Sequence, residues 1–333
     1  MFGRRKKRSS FLPFVIFRLI LSIVIFIALL GGIYSAYKHF SGLDPLKLDP
    51  QAILKNVLVA KLPQQFSDIL GKQITKNIPV INVTSPSPVA TKPLFRLMLL
   101  ADSHNDNTNL EKAISQVKQS YPDLKFIIGL GDYTEVGTID ELTNAKSKLD
   151  SSGLRYFLIP GDHDLWDCRN RSLLPTDCFS QVFGPPFQAF TFENFRFILV
   201  YNSDNYVGVS KEQSAWITAE LQKAKDEKVK GIFVFVHEPL FHPSSEHVMG
   251  WVEKNLKAQA KDLIFQLKDA GVKKVFAGDI HFFSEYTEPV TNLGMVTIGA
   301  VTIERNPQTP RFAVVSVFED GTTKVEDVEI KVD

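Results

Sequence analysis

The sequence predicts an α/β fold: a two-sheet β-sandwich flanked by helices in four layers, preceded by one transmembrane helix. Three observations carry that reading. From Leu94 onward, short apolar runs alternate with helical patterns, the order of a mainly parallel sheet covered by helices. From Gly294 the pattern turns all-β, which supplies the remaining strands. Near the N-terminus, Leu19 to Tyr37 is free of charge, and a helix needs about 20 such residues to cross a bilayer.

Taken in order, residues 1–10 form a basic cytoplasmic segment containing RRKKR, and residues 11–37 form the anchor. Arg18 lies near the basic end, where its side chain can snorkel to the headgroups. A cleaved signal peptide is the competing reading. Its apolar core usually runs about 7–15 residues, and SAYKHF is a poor cleavage site. The positive-inside tendency makes the chain a single-pass membrane protein with a cytoplasmic N-terminus and an extracytoplasmic domain. Residues 38–93 are a spacer, read equally well as short amphipathic helices at the membrane surface or as a loosely ordered stalk. It closes on TSPSPVATKP, a stiff polar linker.

Residues 94–333 make up the remaining domain. LFRLMLLAD (94–102), KFIIGLGD (125–132) and RYFLIPGDHD (155–164) read as strands, separated by helices over 107–121 and 138–153. FRFILVYNS (195–203), GIFVFVHEP (231–239) and KKVFAGDIH (273–281) continue the strands, with helices over 210–227 and 250–271 between them. Thr138/Glu141 and Ser210/Gln213 have capping-box spacing. GMVTIGAVTI precedes a hairpin whose turn falls near Asp320-Gly321.

Charge excludes one partner class. The net charge is +1, and the six cationic residues up to Arg18 leave −5 for the rest, which is not built to track a nucleic-acid backbone. No nucleic-acid partner is expected.

Five apolar strands end in polar clusters: Asp102-Ser103-His104, Gly131-Asp132, Gly161-Asp162-His163-Asp164, His237-Glu238-Pro239 and Gly278-Asp279-Ile280-His281. Asp102, Asp132 and Asp162 recur every 30 residues, about the length of a βα unit. Ligand sites in open α/β sheets lie beyond the carboxyl ends of strands, so these side chains should meet on one rim. Carboxylates and imidazoles together are donors for hard-to-borderline divalent metals. A single Asp after a strand is commonly a helix cap, and a single His there is commonly structural; five such clusters in one domain are not explained that way.

With these residues in view, the chain resembles the calcineurin-like metallophosphoesterases, whose pattern is D-x-H, G-D, G-N-H-[DE], an isolated His after a strand, and G-H-x-H. The counterparts here are DSH (102–104), GD (131–132), GDHD (161–164), His237 and GDIH (278–281). YNSDNYVGVSKEQSAWITAEL is similar to a stretch of the family's cyclic-nucleotide phosphodiesterase and acid-phosphatase-like branch. DSH in place of D-x-G, and no Tyr three residues after Asp132, separate it from the purple acid phosphatases.

The resemblance implies two metal ions and a phosphate-ester substrate. Asp102, His104, Asp132 and His281 would hold the first ion; Asp132 would bridge to a second held also by Asp162, His237 and Asp279. Such a pair clamps a phosphoryl oxygen and generates a bridging hydroxide for in-line attack. His163 would protonate the leaving oxygen, with Asp164 orienting its imidazole; the competing reading of Asp164 is a helix cap.

Two positions depart from the pattern: Asp162 replaces Asn, and Asp279 replaces the first His of G-H-x-H. Four ionised carboxylates would cancel two divalent ions, where the usual two leave the site positive. A neutral site attracts a phosphate dianion less. Singly charged phosphodiesters are therefore favoured as substrates. Of Mn, Fe, Mg, Ca and Zn, the oxygen-rich second position favours Mn, Mg, Ca or ferric iron. The alternative function is a weakly active or non-catalytic membrane-anchored binding module of the same fold.

Among weaker features, Cys168 and Cys178 could pair in an oxidising space and brace the loop after GDHD. His242 and His247 could reach substrate but read better as exposed loop histidines, Trp166 could stack on a substrate base but reads better as packing, and Glu238 reads as an outer support of the site.

Overall fold

The computed structural model describes residues 92–331. The basic segment, the anchor and all but the end of the spacer lie outside the described residues. Among the described residues no helix is long and apolar enough to cross a membrane.

Two mixed sheets form the centre. The first joins β1 (Phe95–Leu100), β2 (Leu124–Gly129), β3 (Arg155–Leu158), β10 (Arg311–Val317) and β11 (Thr323–Glu329) in the order β11-β10-β1-β2-β3. The second joins β4 (Gln188–Phe192), β5 (Phe195–Leu199), β6 (Gly231–Phe235), β7 (Val272–Ala277), β8 (Ser284–Thr287) and β9 (Gly294–Thr297) in the order β4-β5-β6-β7-β9-β8. β1, β2 and β3 run parallel, as do β5, β6, β7 and β9; β10 pairs antiparallel with β1, and the hairpins β10–β11, β4–β5 and β8–β9 are antiparallel.

Strand alternation divides the core. Phe95, Leu97 and Leu99 of β1 point between the sheets, where they meet Phe126, Phe197, Phe233, Phe235 and Phe276. Met98 and Leu100 point outward, beneath α1 (Asn107–Ser120) and α2 (Ile139–Ser151). On the other side, α5 (Lys211–Asp226) and α6 (Leu256–Asp269) cover Ile198, Val234 and Val275. The layers are therefore helix, sheet, sheet, helix. Between β3 and β4, a short 3-10 turn (His163–Leu165) leads into α3 (Trp166–Asn170) and α4 (Asp177–Phe183).

Local chemistry explains the boundaries. Thr138 and Glu141 form a complete capping box at the start of α2. Ser210 caps α5 through the Gln213 amide, but the Gln213 side chain exchanges hydrogen bonds with the Tyr201 backbone at 2.8 and 2.6 Å, so the expected reciprocal box is half formed. The helix expected from Gly250 begins only at Leu256. Gly250 sits at φ 89, and a Cβ there would crowd the Lys257 amide, so the segment before Leu256 bends instead.

Candidate metal centre

Every expected ligand lies just past the carboxyl end of a strand: Asp102 and His104 after β1, Asp132 after β2, Asp162 after β3, His237 after β6, Asp279 and His281 after β7. Parallel pairing aligns these ends on one rim. The backbone turns sharply there: Asp102 (φ 55), His104 (φ 40), Asp132 (φ 55), Asp279 (φ 71) and His281 (φ 53) all adopt the left-handed conformation. Such residues cost of order 1–3 kcal/mol each and persist where surrounding contacts hold them. Those contacts are visible. Asp102 and His104 donate their amides to the carbonyls of Gly131 and Asp132, both at 3.0 Å, and the Asp279 amide donates to the Asp102 carboxylate at 3.2 Å. Gly131 (φ 104) admits this close approach, since a Cβ would lie 2.7 Å from His237 Nδ1.

The side chains converge in two groups. Asp102, His104 and His281 form the first; Asp162, His237 and Asp279 form the second. Asp132 lies between them, with Oδ2 3.6 Å from His104 Nε2 and Oδ1 3.6 Å from His237 Nε2. Backbone carbonyls fix the imidazoles. His237 Nδ1–H donates to Leu130 O at 2.7 Å and His281 Nδ1–H to Arg305 O at 3.2 Å, leaving each Nε2 facing the centre. His104 Nε2 and His281 Nε2 meet at 3.1 Å. The set fits divalent cations: oxygen and imidazole donors converge, and buried His237 Nε2 and Asp279 Oδ2 have no hydrogen-bond partner.

Electrostatics agree with that fit. Burial lifts the Asp102 carboxyl to about 8 and raises Asp132 well above the carboxylate range. Burial keeps His104 and His281 neutral, lowering them to about 2 and about 4. Burial opposes charge on His237, yet Asp132, Asp162 and Asp279 hold it well above an ordinary imidazole. Asp162 is likewise penalised by burial, but the adjacent His237 outweighs this and brings it to about 2. The carboxylates around His237 thus favour positive charge at that one position.

His163 stands beside both groups. Its amide donates to Asp132 Oδ1 at 3.0 Å, its Nδ1–H donates to the Glu135 carbonyl at 2.8 Å, and its ring stacks on Trp166 at 3.9 Å. This corrects the role expected for Asp164. That carboxylate accepts from Thr134 N and Oγ1 at 3.1 and 2.8 Å and from Gly161 N at 2.9 Å, so it ties two strand-end loops together and caps no helix. The Glu135 carbonyl and Trp166 orient the imidazole instead. Cys168 and Cys178 are joined in a disulfide with Cα atoms 5.8 Å apart, linking α3 to α4.

Of the weaker candidates, only His242 departs from expectation. His242 is buried, its Nδ1 accepting from the Ser244 and Ser245 amides at 3.2 and 2.9 Å. His247 is at the rim, Nε2 3.6 Å from Asp279 Oδ1. Glu238 is buried, raised well above its usual range by burial and then by Asp279. Three functional neighbours went unread in the sequence: Asn205, which donates to Asp162 Oδ2 at 3.0 Å, and the ion pair of Glu135 and Arg305 at 3.1 Å. None lies in a strand-end cluster; only their proximity in the fold identifies them. A cleft of about 620 Å³ opens over the centre, lined by His104, Asp132, Asp162, His163, Asp279 and His281, with Arg305 as its one Lys or Arg among the described residues.

Two stacked sheets thus carry a carboxylate–imidazole centre with the donor set of a divalent-cation site on their shared rim, beneath an open cleft. The chain belongs to the calcineurin-like phosphoesterase family, whose profile matches residues 95–283, and it is a hydrolase of phosphoric ester bonds. Serine/threonine-protein phosphatase CPPED1 of Mus musculus is 23% identical over 220 residues, covering 62% of this chain and 69% of the relative. The 3',5'-cyclic-nucleotide phosphodiesterase alr5338 of Nostoc sp. is 23% identical over 228 residues, covering 65% and 81%. In fold, the chain is similar to GAP50, the anchor in the inner membrane complex of Plasmodium. The TM-score is 0.52 at 15% identity, covering 72% of this chain and 86% of that one.

Proposed function

We propose that the protein is a two-metal phosphoesterase with a preference for phosphodiesters, tethered by residues 11–37 with its catalytic domain outside the membrane. The observation that carries the catalytic reading is the pair of ligand groups meeting at Asp132, with His163 beside both. Asp102, His104 and His281 would hold the first ion, Asp162, His237 and Asp279 the second, and Asp132 would contact both. When bound, such ions place Lewis-acid charge against the phosphoryl oxygens and acidify the attacking water.

This chain's own residues do the rest. With Nδ1–H engaged by the Glu135 carbonyl, His163 would deliver a proton from Nε2 to the leaving oxygen. Arg305, the cleft's cation, offers charge to a substrate anion. The diester preference follows from charge: four carboxylates cancel two divalent ions, so the second charge of a monoester gains less here. Names of relatives support both chemistries, a protein phosphatase and a cyclic-nucleotide phosphodiesterase.

The test measures metal per chain on the purified full-length protein, beside turnover of matched mono- and diesters. Two ions and faster diester hydrolysis are expected. Fewer than two ions, or monoesters turned over as fast with only divalent metal bound, would defeat this reading. For topology, protease added outside intact cells should remove the domain and spare the N-terminus.

A further inference from the structure

An asparagine offers a metal one oxygen and turns an NH₂ group elsewhere; an aspartate has two oxygens to offer. In Asp162 the second oxygen is taken. Oδ2 accepts from Asn205 Nδ2 at 3.0 Å, while Oδ1 faces His237 Nε2 at 3.7 Å within the second ligand group. Asn205 comes from the loop between β5 and α5, and that loop is pinned. Asp204 Oδ1 accepts from the amides of Tyr206 and Val207 at 3.0 and 3.2 Å. Asp204 Oδ2 pairs with Arg169 at 3.2 Å, and the same guanidinium lies 5.2 Å over the Tyr206 ring. Arg169 in turn follows Cys168, which the disulfide ties to α4.

We propose that Asn205 is a positioning residue for the second pocket: by donating to Oδ2 it makes Asp162 a one-oxygen ligand, giving a carboxylate the geometry of an asparagine. The proposal rests on the reading of Asp162, His237 and Asp279 as a metal pocket. A carboxylate without that donor can turn both oxygens to one ion, drawing it from Asp132 and the other ligands. The amide also disperses part of the negative charge in a crowded anionic site. Residues that orient ligands in this way typically change metal affinity by about 10–100-fold when altered.

An isosteric swap tests it. Mn²⁺ is titrated calorimetrically into the metal-free full-length chain and its variants. Asn205→Asp sets two carboxylates against each other and should weaken the second ion by about 10–100-fold, leaving the first unchanged. Adding Asp162→Asn should restore the second ion, because the hydrogen bond re-forms with its direction reversed. A merely structural role for Asn205 gives no such rescue. If Asn205→Asp binds both ions as tightly as wild type, or Asp162→Asn fails to rescue it, the assignment is wrong. A wild-type chain that takes up one ion defeats the two-metal reading itself, and the assignment with it.

Discussion

The two halves of the centre are built differently. The first pocket (Asp102, His104, His281) has one carboxylate and two imidazoles, while the second (Asp162, His237, Asp279) has two carboxylates and one imidazole. In the first, backbone groups do the bracing: the Asp102 and His104 amides bond to the neighbouring strand-end loop, and the Arg305 carbonyl accepts from His281. The second adds side chains from loops, with Asn205 on Asp162 and His247 near Asp279. A pocket braced by backbone is set by the course of the chain, whereas one that leans on loop side chains can be retuned by substitution without disturbing the sheets.

The largest effect should come from the residue the pockets share. Asp132→Ala is expected to lose both ions, read as metal per chain; retention of one would mean that the pockets are independent. Next, His163→Ala should lower kcat by about 10²–10⁴-fold while leaving metal content intact, with a smaller loss on esters of acidic leaving groups. An equal loss on all esters would remove His163 from proton transfer.

A third prediction concerns the loop over the second pocket. Burial lowers His242 from 6.5 to about 4, so below pH 6.5 the unfolded chain takes up a proton that the folded chain refuses. The stability present above pH 6.5 is lost as pH falls toward 4, by at most about 3 kcal/mol from this group. Urea midpoints of the metal-free protein at pH 7 and pH 4 should differ less in His242→Asn; an unchanged difference refutes the assignment. The smallest effect is a change of preference. Asp279→His would make the second pocket resemble the first, and its zinc affinity should rise on the order of tenfold, with the monoester-to-diester ratio rising too. An unaltered ratio would separate selectivity from ligand charge.

What the sequence disclosed and withheld follows from range. Strand runs such as KFIIGLGD and the clusters that end them are local, so the sheets' parallel centres and the seven rim residues were legible. β4 and β8 were not: QAFTF and SEYT are short edge strands without a long apolar run. Adjacency in sequence suggests a partnership of Asp164 with His163, whereas its partners in the fold, Thr134 and Gly161, come from two different loops. His242 and His247 looked alike in HPSSEH, yet one folds inward and the other reaches the rim. Asn205 lies inside the YNSDNYVGVSKEQSAWITAEL stretch but nothing there marks it individually, since its meaning comes from a contact with a residue 43 positions away.

The left-handed turns at Asp102, His104, Asp132, Asp279 and His281 impose a restricted alphabet on the rim. On the proposed reading each of these positions would bind a cation, and each also adopts a positive φ. Glycine meets only the second demand, and valine or isoleucine meets neither. Aspartate, asparagine and histidine meet both. Drift at such a rim is thus channelled into exchanges among three residues, and the Asp at 279 where a relative's pattern has His is one of them. The metal preference of such a centre can therefore change by single steps that leave its backbone where it was.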